Sequence, residues 1–298
     1  MQPFFPVCPV CGGALNRNDR ALRCQAGHSF DFAKEGYVNL LTGRNKAGDR
    51  IGDSREMARA RRLFLEKGYF RPLADALAEA VRAEQKENPA VLDICCGEGY
   101  YSEQISRALP CRLLGFDLSK EMVRLAAKRR LDALFFVANL AAVPLPDNCV
   151  DVALHLFAPF HASSFARLLK RDGVLLSVVP GKRHLFELKE AVYDTPYEND
   201  EQLPETAVPA LTETKKVTAK IRLDTPEDIR ALFAMTPYAH RTSREGSARL
   251  ERLETLETTI EFVIGVYKGP GTRNQGMEKP LAEVATGNPR PASGKGKT

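Results

Sequence analysis

The stretch Ala90-Val-Leu-Asp-Ile-Cys-Cys-Gly-Glu-Gly-Tyr-Tyr101 decides the fold. Its first seven residues form a short apolar run suited to a buried strand, and Gly97 and Gly99 mark a tight turn before a helix at YSEQISRAL. CRLLGFDLS follows as a second strand. Then come a helix (KEMVRLAAKRR), a strand (ALFFVAN), the loop LAAVPLPDN, a strand (DVALHLF), a helix (SSFARLLKR) and a strand (GVLLSVVP). Strands alternating with helices predict an α/β fold, a parallel sheet with helices on both faces. TKKVTAKIRLD and IEFVIGVYK, with the helix TPEDIRALFAM between them, are expected as antiparallel strands that close the sheet.

Open parallel sheets take ligands at the carboxyl ends of their strands, and three such ends here carry chemistry. The first is Asp93 followed by Gly97, Glu98 and Gly99, where glycines let the backbone approach a ligand. No Lys-Ser/Thr follows, and the G-x-G-x-x-G pattern is incomplete, which disfavours a phosphate-binding loop. The second is Asp117, 24 residues after Asp93. There a carboxylate can accept both hydroxyls of a ribose, as in a nicotinamide-dinucleotide site, or simply cap the helix that starts at SKEM. The third is VANLAAVPLPDNCVDV, which holds Asn139 and Leu140.

Outward from this core, the N-terminal segment CPVCGGALNRNDRALRCQAGH places Cys8, Cys11, Cys24 and His28 at the spacing of a tetrahedral zinc site. Two thiolates two residues apart can bind one side of a Zn²⁺ ion, and Gly12 and Gly13 let the chain leave the turn. Four protein ligands leave no open position, so the metal is expected to be structural. A reduced, unliganded cysteine pair is the bland alternative. A disulfide is disfavoured, because the remaining cysteines sit in apolar or turn contexts and no secretory signal is evident.

The 298 residues can hold one large domain and a small appendage, with 44% hydrophobic residues to build a core. No apolar run approaches the roughly 20 residues needed to span a bilayer, so a cytoplasmic protein without membrane association is expected. The net charge of +5 permits an anionic partner without demanding one. Charge is concentrated between Arg44 and Arg62, where seven basic residues (44, 46, 50, 55, 59, 61, 62) face three acidic ones (49, 53, 56). This is either an anion-binding stretch or the solvated face of a helix. A helix is predicted from about Ser54, its N-cap, to Lys67, and a second from about Pro72 to Ala83. GPG, GNPRP and SGKGKT prevent burial of the last 30 residues. The expected division is a zinc-binding module at 1–36, a basic helical linker at 37–88, a catalytic domain at 89–268 and a disordered tail at 269–298.

D-x-x-x-G-x-G, the acidic residue ending strand two and the loop LPDNCVD resemble the S-adenosylmethionine-dependent methyltransferases of Rossmann-like fold. A closer resemblance covers nearly the whole folded chain. CPVC, HSFDFAKEGYVNLL, GDSREMARAR, GYFRPL, LDICCGEGYY and PGKRHLFELK are similar to segments of the bacterial 23S ribosomal RNA guanine-N1 methyltransferases, which carry an N-terminal zinc knuckle and act on a hairpin. This resemblance implies S-adenosylmethionine and structural Zn²⁺ as cofactors, a 23S rRNA hairpin as partner, and a homodimer around the RNA. It also implies a cofactor site lined by Gly97, Glu98 and Gly99, with Asp117 on the ribose, Asn139 and Leu140 beside the adenine, and Phe70 and His184 nearby. One departure stands out. The family has glycine where this chain has Cys95, whose side chain would crowd the methionine moiety.

Guanine N1 carries a proton that must leave during or before methylation, and His155, His161, His184 and Glu187 are candidate acceptors, each of which also reads as a structural residue, so that none is assigned as the base. Phe157-Ala-Pro-Phe160 stands where amino-directed methyltransferases carry Asn or Asp before Pro-Pro, and Ala158 removes that acceptor, which favours a ring nitrogen as target. Phe4, Phe5, Phe30 and Tyr37 are candidates to stack on RNA bases or to fill the knuckle's small core. Two other functions share these features. A quinone-type small-molecule methyltransferase would share the cofactor motifs but have no use for the zinc knuckle, and a non-catalytic zinc-dependent RNA-binding protein would follow if Cys95 blocked the cofactor.

Overall fold

In a computed structural model that describes residues 4–42, 55–269 and 271, the Ala90 run becomes β5 (Ala90–Ile94), buried along its whole length. Strands buried on both faces read as continuous apolar runs, which is why this segment shows no alternation. Around it the chain forms β6 (Arg112–Asp117), β7 (Ala133–Val137), β8 (Val150–Leu156) and β9 (Leu169–Pro180). Helices α3 (Tyr100–Ala108), α4 (Lys120–Ala127) and α5 (Ala162–Leu168) connect them. The sheet is closed by β10 (Ala210–Leu223) and β11 (Leu256–Lys268), both antiparallel, with α7 (Pro226–Ala234) and α8 (Arg244–Leu250) between them. Helix α6 (Phe186–Val192) follows β9.

The eight-stranded order is β10-β11-β9-β8-β5-β6-β7-β4, where β4 is Val38–Asn39. From β5 the chain steps outward through β6 and β7, then crosses back to place β8 on the other side of β5. That reversal opens a crevice above the carboxyl ends of β5 and β8, where a ligand can enter.

The N-terminal module is a three-stranded antiparallel sheet of β1 (Asn16–Arg17), β2 (Ala21–Arg23) and β3 (Ser29–Asp31). It is a separate sheet packed onto the large one and tied to it at the edge. Val38 of β4 pairs in parallel with Phe136, and the Val7 amide donates to the Pro144 carbonyl at 2.9 Å. Cys8, Leu15, Leu22 and Cys24 share one apolar cluster with Leu92, Ile94 and Phe116 of the sheet.

Within residues 37–88, β4 joins the sheet edge, and α1 (Arg55–Glu66) and α2 (Arg71–Ala83) bury Phe64, Leu73, Leu77 and Val81 in the main core. Beyond α1, Lys67 and Tyr69 both bond the buried Asp228 of α7, at 2.5 and 2.9 Å. Arg44, Lys46, Arg50, the expected N-cap Ser54 and the tail from 272 lie outside the described residues. Among the described residues, no helix is long and apolar enough to cross a membrane.

Candidate active site and metal centre

The turn after β5 departs from ordinary backbone at Cys95 (φ 54°), Gly97 (φ 56°) and Gly99 (φ 81°). The left-handed region suits glycine, so Cys95 holds a conformation in which a side chain is strained. Gly99 is the N-cap of α3, and a Cβ there would lie 2.9 Å from Ala126 Cβ, so the glycine lets α3 pack against α4. Asp117 draws the turn together from the end of β6. Its Oδ2 accepts the Gly97 amide at 3.0 Å and its Oδ1 the Ser119 amide at 2.8 Å. Asp93 is buried and accepts from Ser102 Oγ at 2.5 Å, and burial pushes its carboxyl up to about 7. Glu98 is buried with one oxygen on Arg129, which also donates to the Glu98 carbonyl at 2.8 Å and pairs with Glu103. Burial holds Glu98 above the ordinary carboxylate range even against the pull of Arg129.

These groups line a cavity of about 980 Å³. One end is walled by Arg61 and Leu65 of α1, Phe70 and, against Phe70, His184, and contains Glu98, Tyr101 and Asp117. The other end is formed by Phe157–Phe160 after β8, Tyr197–Asp200 and Tyr238. Of the buried side-chain polar atoms without a partner among the described residues, Glu98 Oε1 and Tyr101 Oη both belong to residues at the first end. Buried polar atoms are normally satisfied, so this end fits a ligand that brings its own polar groups, as the amino-acid part of S-adenosylmethionine would. The volume lies near the upper end for small-molecule sites.

Six of the residues singled out from the sequence are brought together here: Phe70, Gly97, Glu98, Asp117, Cys95 and His184 all line the cavity. Gly99, Asn139 and Leu140 do not. Asn139 instead caps a 3-10 turn, accepting the Ala141 amide at 2.9 Å, and the Leu140 carbonyl accepts from Ser164 Oγ at 2.7 Å. The four candidate bases are each engaged elsewhere. His155 is buried with Nδ1 on Ser177 Oγ (3.0 Å) and Nε2 on the Pro159 carbonyl (3.1 Å), and burial lowers its pKa. His161 caps α5. His184 accepts the Glu261 amide at Nδ1 (3.2 Å), and burial, with Lys189 nearby, brings it down to about 3, so its ring is neutral. Glu187 is used on Thr258 and Thr259. Of the expected stackers, Tyr37 is buried, while Phe4, Phe5 and Phe30 pack against the apolar cluster of the N-terminal module.

In the metal centre, the Sγ atoms of Cys8, Cys11 and Cys24 and a ring nitrogen of His28 all lie within 4.8 Å of one another. Cys11 Sγ to Cys24 Sγ is 3.7 Å, and His28 Nδ1 is 3.5 Å from Cys8 Sγ and 3.3 Å from Cys24 Sγ. Tetrahedral Zn–S and Zn–N bonds of about 2.3 and 2.05 Å require edges of roughly 3.8 Å (S···S) and 3.6 Å (S···N). The donor set therefore fits zinc. Burial raises the Cys24 thiol, but its hydrogen bonds with His28 outweigh that and bring it to about 6, towards the thiolate a metal requires.

The family model described as the RlmA N-terminal zinc ribbon matches residues 7–48, and a methyltransferase-domain model matches 91–173. A protein assigned as a 23S rRNA (guanine-N(1)-)-methyltransferase in Bacillus subtilis (strain 168) is 32% identical over 272 residues, covering 86% of this chain and 94% of its own. The chain belongs to the 23S rRNA (guanine-N1)-methyltransferase family. A Micromonospora griseorubida protein of the same assignment is 39% identical, covering 61% of this chain and 67% of its own. The 23S rRNA (guanine(748)-N(1))-methyltransferase of Streptomyces fradiae is 36% identical, covering 62% and 66%.

Within this family site, the sequence reading missed two features. Arg129 and the residues from Tyr197 to Asp200 are far in sequence from the motifs, and no local spacing marks them.

Proposed function

We propose that the protein transfers a methyl group from S-adenosylmethionine to N1 of a guanine in a 23S rRNA hairpin. The observation that carries this is one continuous cavity at the sheet's reversal point, polar and partner-seeking at the Glu98–Asp117 end and walled by exposed aromatics, Phe157 and Tyr197, at the other. The first end suits a charged cofactor. The second suits a planar base, because exposed rings offer a stacking face. Phe70, Gly97, Glu98, Asp117 and His184 are assigned to the cofactor, while for Gly99 beside it, and for Asn139 and Leu140 flanking the adenine, the assignment rests on the family resemblance alone.

Bound S-adenosylmethionine supplies an electrophilic methyl group, so the protein's task is alignment and removal of the N1 proton. Asp117 would accept the ribose hydroxyls while holding the turn through Gly97. The neutral ring of His184, packed between Phe70 and Phe262 at centroid distances of 5.8 and 4.6 Å, would wall the site without adding positive charge next to a sulfonium. A base-paired guanine hides N1, so the target must leave its stack to enter.

The zinc module and the exposed Arg59 of α1, together with Arg44, Lys46 and Arg50, would meet RNA phosphates. The division into zinc module, basic segment and catalytic domain belongs to this reading, as does a cytoplasmic site of action. The pairing of two copies around the hairpin rests on the family resemblance. Incubation with labelled cofactor and hairpin RNA, followed by digestion to nucleosides, is expected to place label in 1-methylguanosine. Label in another nucleoside, or in none, would refute the proposal.

A further inference from the structure

Every carboxylate and imidazole lining the cavity, except one, is already bonded. Asp93 is held by Ser102, Glu98 by Arg129, and Asp117 by the amides of Gly97 and Ser119. His155 uses both ring nitrogens, and the accepting nitrogen of His184 is taken by a backbone amide. The exception is Asp200, which is exposed, lines the cavity and has no hydrogen bond or ion pair among the described residues.

Its freedom is built into its surroundings, since both of its neighbours in the chain are tied down. Asn199 has its side-chain capacity filled. Its Nδ2 donates to the Gly181 and His184 carbonyls, both at 3.0 Å, and its Oδ1 accepts from Lys189 Nζ at 2.6 Å and Tyr238 Oη at 3.1 Å. Its backbone amide donates to the Lys182 carbonyl at 3.0 Å. Glu201, on the other side, accepts from the Lys182 amide at 3.0 Å and pairs with Lys216 at 3.3 Å. Lys189 is fully buried, also donates to the Tyr197 carbonyl at 2.9 Å, and sits 4.2 Å from the Tyr197 ring centroid. Burying an ammonium is expensive unless it is bonded, and here it is placed to fasten the segment that carries Asp200.

We propose that Asp200 is the base that accepts the N1 proton of the target guanine. The proposal rests on the guanine-N1 reading given above. Guanine presents N1–H and an N2–H side by side, and an ionised carboxylate has two oxygens that accept both. Adenine offers an acceptor at N1, so the same carboxylate disfavours it. In the reaction the N1–H bond breaks, the proton passes to an Asp200 oxygen and the electron pair stays on N1. That pair forms the N1–CH₃ bond as the S–CH₃ bond breaks and its pair returns to sulfur. A methylated base, a neutral thioether and a protonated carboxyl remain. The charged and titratable groups around it are Glu198 and Glu201 on its own segment, Lys182 and Lys216 held by Glu201, and Arg241, Tyr197 and Tyr238 along the cavity wall.

The test compares wild type with Asp200→Asn and Asp200→Glu on a 23S hairpin. The Asn variant should lose about 10²–10⁴-fold in kcat, the usual range for a lost general base. Its cofactor affinity by calorimetry should change by less than about threefold, since Asp200 meets the base and not the cofactor, and its hairpin KM should rise far less than kcat falls. Its residual rate should rise by about tenfold per pH unit in the alkaline range, where hydroxide must take the proton, while the wild type levels off. The Glu variant should recover part of the loss. An Asn variant with wild-type kcat, or one whose loss is equal at every pH, overturns the assignment. If the wild type makes no 1-methylguanosine, the guanine-N1 reading fails first and the assignment falls with it.

Discussion

Replacing Arg129 with Met should destabilise the protein through Glu98. The Arg129 side chain is 3% exposed and the Glu98 side chain 0%, and Arg129 bonds both the Glu98 carboxylate and its carbonyl. Met fills much of the volume but leaves Glu98 as a buried charge without a partner, which typically costs about 3–5 kcal/mol. For a domain of this size, about 2–4 °C is lost per kcal/mol, so thermal unfolding should move down by roughly 6–20 °C. Glu98 already sits above the ordinary carboxylate range in the folded state, and loss of Arg129 raises it further. A carboxyl raised on folding binds more protons folded than unfolded, so its contribution is present at low pH and is lost as pH rises through the folded pKa. The defect of Arg129→Met should therefore shrink on acidification from neutral pH towards 5. The double variant Glu98→Gln/Arg129→Met should recover most of the stability, because removing both partners of a buried pair is often close to neutral. Calorimetric scans of the three proteins at two pH values decide the matter. An Arg129→Met protein within about 1 kcal/mol of wild type, or a double variant no better than the single one, would refute the reasoning.

Asp117→Ala removes an acceptor worth about 1.5–3 kcal/mol and also frees the Gly97 amide, so S-adenosylmethionine should bind at least tenfold more weakly by calorimetry. Unchanged affinity would leave Asp117 as a turn clamp only. Cys24→Ser should lower bound zinc, measured by metal analysis, from about one equivalent per chain to well below it, and should increase amide exchange in β1–β3. Replacing Arg59 and Arg62 with Ala should lower hairpin affinity and flatten its salt dependence without altering cofactor affinity. Arg62 is already paired with Glu66 at 2.7 Å, so the exposed Arg59 should account for more of the change.

Much of the architecture was legible because it is written locally. Continuous apolar runs announce strands buried on both faces, Gly97 and Gly99 announce the turn, and the spacing of Cys8, Cys11, Cys24 and His28 announces the tetrad, whose donor atoms gather within 4.8 Å of one another. Asp117 was readable as the end of a strand, though its hold on the Gly97 amide was not. The sequence also offered four candidate bases. His161 is held locally, as the cap of α5, but the sequence could not say that His155, His184 and Glu187 are engaged, because their partners lie 22, 77 and 72 residues away and are met only when strands assemble. The same holds for β4 joining β7, for Arg129 reaching back 31 residues to Glu98, and for Asn199 fastened by Lys189 and Tyr238. Local pattern records what a residue prefers in its own turn or strand. Which polar atoms remain free to act depends on long-range bonds, and these the tertiary structure alone decided.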